Sequence, residues 1–193
     1  MVKVQARTLK TRARLLDAAR EIVSVSGYEA LRVEEVVLRA GVAKGTFFSH
    51  FRDKDALMDQ LIGEKIDEYL NEIETRHPPK SVEELVDILI PLSDFMTCER
   101  YVFDVILRHS GSAASDYMGP IAQTFERHGR VFGQWLAGGP FRRDIDANLL
   151  AEGIQAFSIQ AMALKFCAAH TEIPMRDMLH RYFKAWLIVG EQA

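Results

Sequence analysis

Residues 41–54 hold the chain's most chemically pointed run, Gly41-Val42-Ala43-Lys44-Gly45-Thr46-Phe47-Phe48-Ser49-His50-Phe51, followed by Asp53 and Lys54. On a helix, Phe47 and Phe51 share one side, and Lys44, Thr46, Ser49 and His50 fall on the other. The polar side offers hydrogen-bond donors suited to phosphates and to base edges. Gly45, having no side chain, would let the helix backbone approach a large polyanion closely, and Gly41 can take the left-handed conformation that a tight turn needs.

Positioning these groups requires two short helices and a turn. Val33, Val36 and Val37 mark a first helix closing at Ala40-Gly41, and the phenylalanines mark a second. Gly41-Val42-Ala43 is too short a link for anything but a tight turn, which gives the helix-turn-helix pattern with its second helix placed to enter a major groove. A preceding helix is expected from about Leu9 to Ser26, carrying Leu15, Leu16, Ala19, Ile22 and Val23 and closed by Gly27. A longer one should start at Asp53, a capping residue, and end before His77-Pro78-Pro79. Further on, Ser81-Val82-Glu83-Glu84 reads as a capping box, with Pro91 expected to kink or interrupt that helix, and a separate apolar run spans Phe95–Leu107. Helices are also expected over about Ile121–Leu136, Asp146–Ala169 and Pro174–Val189. The fold class is therefore all-α, about nine helices, with a helix-turn-helix unit at residues 1–58 and a helical body at 59–193.

The charge distribution follows the same division. Residues 1–58 carry a net charge of +4 within a chain of net −3, and residues 3–14 hold Lys3, Arg7, Lys10, Arg12 and Arg14 with no acidic residue. A basic end on an acidic body suits a nucleic-acid reader joined to a part that does not touch nucleic acid. With 48% hydrophobic residues the chain can bury a substantial core, yet no stretch reaches the ~18 apolar residues of a membrane helix. A cytoplasmic location without membrane contact is expected. Cys98 and Cys167 have no metal-ligand or redox spacing and read as reduced structural thiols.

Arg14 to Leu57, with Gly27-Tyr28, Val33, Ala40-Gly41-Val42-Ala43-Lys44-Gly45-Thr46, Phe51 and Lys54-Asp55-Ala56-Leu57, resembles the N-terminal domain of TetR-type repressors. The resemblance covers about a quarter of the chain. It implies a DNA-binding surface made by Arg32, Ala43, Lys44, Gly45, Thr46, Phe48, Ser49, His50 and Lys54, the last through the N-terminus of the fourth helix. It further implies a homodimer on double-stranded operator DNA, released by a small-molecule effector bound in the body. Two positions depart from the pattern: Phe48 stands where the family usually has Tyr, removing a phosphate-bonding hydroxyl, and Arg32 stands where a capping Thr or Ser is usual.

For the body, aromatic and sulfur side chains gather at Phe95, Met96, Tyr101, Phe125, Trp135, Phe157 and Met162, with Phe103, Tyr117, Met118 and Phe132 nearby. They are expected either as plain core or, through the family's habit of hollowing this domain, as walls of an apolar pocket in which Arg108, His109, His128 or Gln155 fixes a polar group. A dimer interface is expected from Ala156, Ile159, Ala163 and Phe166 with Phe183 and Leu187, the alternative being two core helices of a monomer. No cofactor is expected. An enzyme or metal protein would rest on Asp177, His180 and His170 alone, without a nucleophile, phosphate-loop or zinc motif, and the chain is read as no enzyme. A helical interaction adaptor that keeps the shape without binding DNA is the third class.

Overall fold

The computed structural model describes residues 2–110, 118–166 and 172–189, so Tyr117, Cys167 and His170 lie outside the described residues. Among the described residues there are nine helices and no strand: α1 (Val2–Ser26), α2 (Val33–Ala40), α3 (Lys44–Phe48), α4 (Lys54–Glu74), α5 (Val82–Met96), α6 (Arg100–His109), α7 (Pro120–Gly138), α8 (Ala147–Phe166) and α9 (Met175–Leu187). None of them is long and apolar enough to cross a membrane. The expected boundaries hold within a few residues except at α1, which begins at Val2 because no breaker stands before Gly27.

Helices α1–α3 form one packed unit, with Leu15, Ala19, Ile22, Leu31, Val36 and Phe47 at its centre. The long helix α4 packs back on α1 and also lies along α5, α6 and α7 in the body, making it common to both parts. Its start is fixed by Asp53, whose carboxylate accepts from the Ala56 amide at 2.8 Å. The close approach of α7 depends on Gly63, where an added Cβ would stand 2.7 Å from the Pro120 side chain. Behind them, α7 packs on α8, α8 on α9, and α9 on α5. Gly153 gives α9 its closest seat: the Trp186 ring lies where a Cβ would be, and its indole N–H donates to the Leu150 carbonyl at 3.0 Å.

Several expectations are corrected by this packing. Of the two outcomes expected at Pro91, interruption does not occur: α5 runs through it, with Pro91 on the exposed face beside Asp87, where water can satisfy the carbonyl that loses its amide donor. The Phe95–Leu107 run is split between α5 and α6 at Thr97–Glu99, where the Thr97 hydroxyl bonds back to Ser93 O and the Glu99 carboxylate turns to another part of the chain. Cys98, read as a structural thiol in apolar surroundings, is exposed in that turn. Phe183 and Leu187 are fully buried within the protomer, packed in its core, so they cannot supply an interface face. Phe166 packs its ring 5.8 Å from Phe103, and Ile159 turns partly inward to a cavity. Of the six residues expected at an interface, Ala156 is exposed and Ala163 half-buried.

Candidate DNA-binding surface and helical cavity

Helix α2 ends as its sequence demands. Gly41 adopts φ 61° and ψ 45°, the left-handed conformation, and the Val42 amide bonds to Val37 O at 3.0 Å. The Arg14 guanidinium from α1 bonds to the Ala40 and Gly41 carbonyls, neutralising the open carbonyl end of α2 and fixing the turn. After the turn, α3 is only five residues long and has no side-chain cap. Its place is set by burial. Phe47 is inaccessible and stands 5.5 Å from Phe51, and the Arg12 guanidinium lies 4.3 Å over the Phe51 ring while donating to the His50 carbonyl at 3.1 Å.

With Phe47 and Phe51 turned inward, Ala43, Lys44, Gly45, Phe48 and Ser49 are exposed and Thr46 and His50 are half-buried. A Cβ at Gly45 would meet nothing within 4 Å, so no contact inside the protein requires glycine there, and the open face admits a close partner. Phe48 is 50% exposed. Lys44 pairs with Glu34, both exposed, and this contact lowers the Glu34 carboxyl below its ordinary range. Arg32 is extended and uses its guanidinium on the Glu29, Ala30 and Leu31 carbonyls.

Beside α3, a surface groove of about 450 Å³ is lined by Arg7, Lys10, Thr11 and Arg14 of α1 together with Gly41, Val42 and Thr46. These α1 side chains were visible in the sequence only as a charge run; their arrival beside Thr46 depends on the angle at which α1 crosses the turn. Lys54 behaves differently from the rest of the expected set. Its ammonium donates to Glu29 O at 3.2 Å and sits 4.7 Å over the Tyr101 ring, and burial, with Arg32 nearby, lowers its pKa.

That contact belongs to a joint between the small unit and the body. The Glu99 carboxylate accepts from the Tyr28 amide at 2.8 Å and the Glu29 amide at 2.9 Å, and the Tyr28 ring meets Phe95 edge-on while Phe95 stacks on Tyr69. Arg108 reaches Asp55 at 3.2 Å, and the buried Asp59 accepts from the Ile121 amide at 3.0 Å with His109 beside it at 3.8 Å. Burial raises the Asp59 carboxyl and the Tyr28 phenol above their ordinary ranges. Replacing Glu99 by Ala removes the acceptor of two amides, one part-buried and one exposed, with an expected loss of about 0.5–1.5 kcal/mol. Amide exchange at Tyr28 and Glu29 should accelerate more than at Gly41, and unchanged protection there would remove Glu99 from the joint.

The body has a cavity of about 30 Å³ among α4, α5, α7 and α8, lined by Ile66, Leu89, Leu92, Ser93, Met96, Thr124, Phe125, His128, Gln155, Ser158, Ile159 and Met162. Met96, Phe125 and Met162 of the expected pocket line it. The other four do not: Phe95 and Tyr101 serve the joint, Trp135 packs on Phe132, and Phe157 lies against Tyr182 and Trp186. Arg108 and His109 likewise point to Asp55 and Asp59 instead. Of the alternative metal set, His180 bonds to Glu83 at 2.8 Å and His170 lies outside the described residues; among the described residues no group of three potential ligands gathers.

The three-helix unit with its left-handed turn and exposed α3, carried on a helical body, defines an all-helical helix-turn-helix protein. Residues 15–61 match the description of bacterial regulatory proteins of the tetR family. The match covers about a quarter of the chain and lies in its N-terminal part. It is 31% identical over 106 residues, 54% of each chain, to the uncharacterized HTH-type transcriptional regulator YvdT of Bacillus subtilis, and 32% identical over 60 residues, 31% of each chain, to the fatty acid metabolism regulator protein of the same organism. The matches thus span about half or less of these relatives' lengths. In overall fold it is similar to Thermus thermophilus FadR, a TetR family transcriptional repressor in complex with lauroyl-CoA, with TM-score 0.67 at 18% identity over 94% of this chain and 97% of that one. It is also similar to SmeT, the repressor of the Stenotrophomonas maltophilia multidrug efflux pump SmeDEF, with TM-score 0.59 at 16% identity over 93% and 91%.

Proposed function

We propose that this protein is a ligand-responsive transcriptional regulator, a repressor that binds a palindromic operator as a homodimer through residues 1–58 and is released when a small, largely apolar effector binds residues 59–193. The observation that carries the reading is the free face of α3, with open space at Gly45 and exposed Phe48, flanked by a basic groove. A stable adaptor surface would have no use for a glycine whose side-chain space is empty. Lys44, Thr46, Ser49 and His50 contact bases and phosphates, and Arg7, Lys10 and Arg14 hold backbone phosphates alongside. Lys54, occupied by Glu29 O and Tyr101, contributes through the N-terminus of α4 and through the joint more than through a free ammonium.

Selection from random DNA should return an inverted repeat, because one short recognition helix reads too few base pairs and a twofold pair doubles the site. Lys44→Ala and Thr46→Ala should each weaken operator binding by about 1–3 kcal/mol with little change in Tm. Equal losses of binding and stability would reassign both residues to structural support.

The dimer forms through the outward faces of α8 and α9, where Leu149, Ala156, Ala185 and Ile188 are exposed between Glu152, Gln160 and Arg181. Light scattering should give twice 21.9 kDa, and a monomer at micromolar concentration without DNA would defeat the reading. Ala156→Arg, and not a change at the buried Phe183, is the variant that should yield folded monomers.

A further inference from the structure

We propose that the cavity between α4, α5, α7 and α8 takes an uncharged amphiphile, a molecule with one ester, ketone or hydroxyl oxygen on an alkyl body, and rejects carboxylates and ammonium ions of the same length. The assignment rests on the ligand-responsive reading above and narrows the effector's chemistry. Its first support is Ser158. This side chain is 8% exposed, lines the cavity, and its hydroxyl is the one buried side-chain N or O atom without a partner among the described residues. Buried hydroxyls are normally paired, so an unpaired one facing a cavity marks a place where a ligand atom completes the bonding.

The second support is a directional pair beside it. Gln155 spends its amide hydrogens on Phe125 O at 2.6 Å and on Nδ1 of His128 at 3.2 Å. With Nδ1 accepting, the imidazole proton is assigned to Nε2. The cavity wall thus supplies an N–H donor from His128, a hydroxyl from Ser158 that gives or takes, and the Gln155 carbonyl as acceptor. A carbonyl or hydroxyl oxygen satisfies that set. An anion does not, because no Lys or Arg lines the cavity and burial holds His128 neutral by lowering its pKa to about 3. An ammonium finds no carboxylate either.

The rest of the wall is aliphatic, aromatic and thioether. At about 30 Å³ the cavity has room only for a water or two, against several hundred Å³ for small-molecule sites in general. Met96 and Met162, unbranched and flexible, are the side chains able to yield to a slender alkyl chain.

The test is calorimetry on the full chain at pH 7.5 with four octyl probes: 1-octanol, methyl octanoate, octanoate and octylammonium. Octanol and the ester should bind about tenfold or more tightly than the two ions. Ser158→Ala and Gln155→Leu should lower the affinity for the neutral probes about fivefold while Ser158→Ala, which only deletes the unpaired hydroxyl, keeps the wild-type Tm. Octanoate binding as tightly as its methyl ester, neutral probes that bind both variants as tightly as wild type, or no neutral probe binding below millimolar concentration would each overturn the assignment. The same probes added to the protein–operator complex separate this from the broader reading. Ser158-dependent binding without operator release leaves the cavity assigned and defeats the coupling, whereas release by an unrelated compound with Ser158→Ala unaffected does the reverse.

Discussion

Phe47→Ala is expected to destabilise the DNA-binding unit by about 3–5 kcal/mol, the range for emptying the site of a buried aromatic. Phe47 is completely inaccessible and contacts both Phe48 and Phe51. Five residues with no side-chain cap cannot hold a helix by local bonds alone, so α3 exists only because this ring is buried under it. Measured against a total stability of about 5–15 kcal/mol, the loss should lower Tm substantially and remove operator binding at 37 °C. The neighbouring Phe48→Ala provides the control. Half-exposed, it should shift stability by about 0.5 kcal/mol or less, yet weaken operator binding. Similar stability losses for the two variants, followed by urea unfolding, would mean that α3 does not sit as described.

The contrast between those two adjacent phenylalanines shows what could be read from the chain. The spacing of Phe47 and Phe51 with Gly41 at the turn fixes the helix-turn-helix, because a left-handed glycine and a two-residue aromatic anchor have few other uses at that spacing. Helix α9 was harder. Its apolar residues fall on two adjacent faces, Met178, Tyr182 and Trp186 on one and Leu179, Phe183 and Leu187 on the other, and periodicity alone does not say which of them is spent on the protomer's own core.

The split between α5 and α6 had no local signal at all. Thr97-Cys98-Glu99 contains neither Gly nor Pro, and the break is made by Glu99 reaching amides some 70 residues earlier in the chain. The same long-range logic hid the cavity's polar wall. A serine within an apolar helix is ordinarily bonded to the preceding turn, and only the packed structure leaves the Ser158 hydroxyl without that partner. Lys54 follows the family pattern in sequence, but Tyr101, expected at a pocket wall, is the platform under its ammonium.

His128 should make the body sensitive to acid. The imidazole is 9% exposed against the Phe132 ring, and burial lowers its pKa from 6.5 to about 3. In the unfolded chain it takes up a proton below about 6.5, whereas the folded protein keeps it neutral, so the unfolded state binds more protons throughout that window. The contribution to stability is therefore fully present above pH 6.5 and is lost progressively as pH falls toward 3. At about 1.4 kcal/mol per pH unit, some 2 kcal/mol should be gone by pH 5. Other groups titrate in the same interval, and Asp59, whose carboxyl is raised, acts in the opposite sense. Comparison with His128→Phe cancels them, because both proteins keep every other group. Denaturant titrations at pH 7.5 and pH 5 should show wild type losing about 2 kcal/mol more than the variant over that interval, whatever the variant's stability at neutral pH. Parallel losses in the two proteins would mean that the imidazole titrates normally when folded, which would admit a charged His128 to the cavity and, with it, anionic ligands.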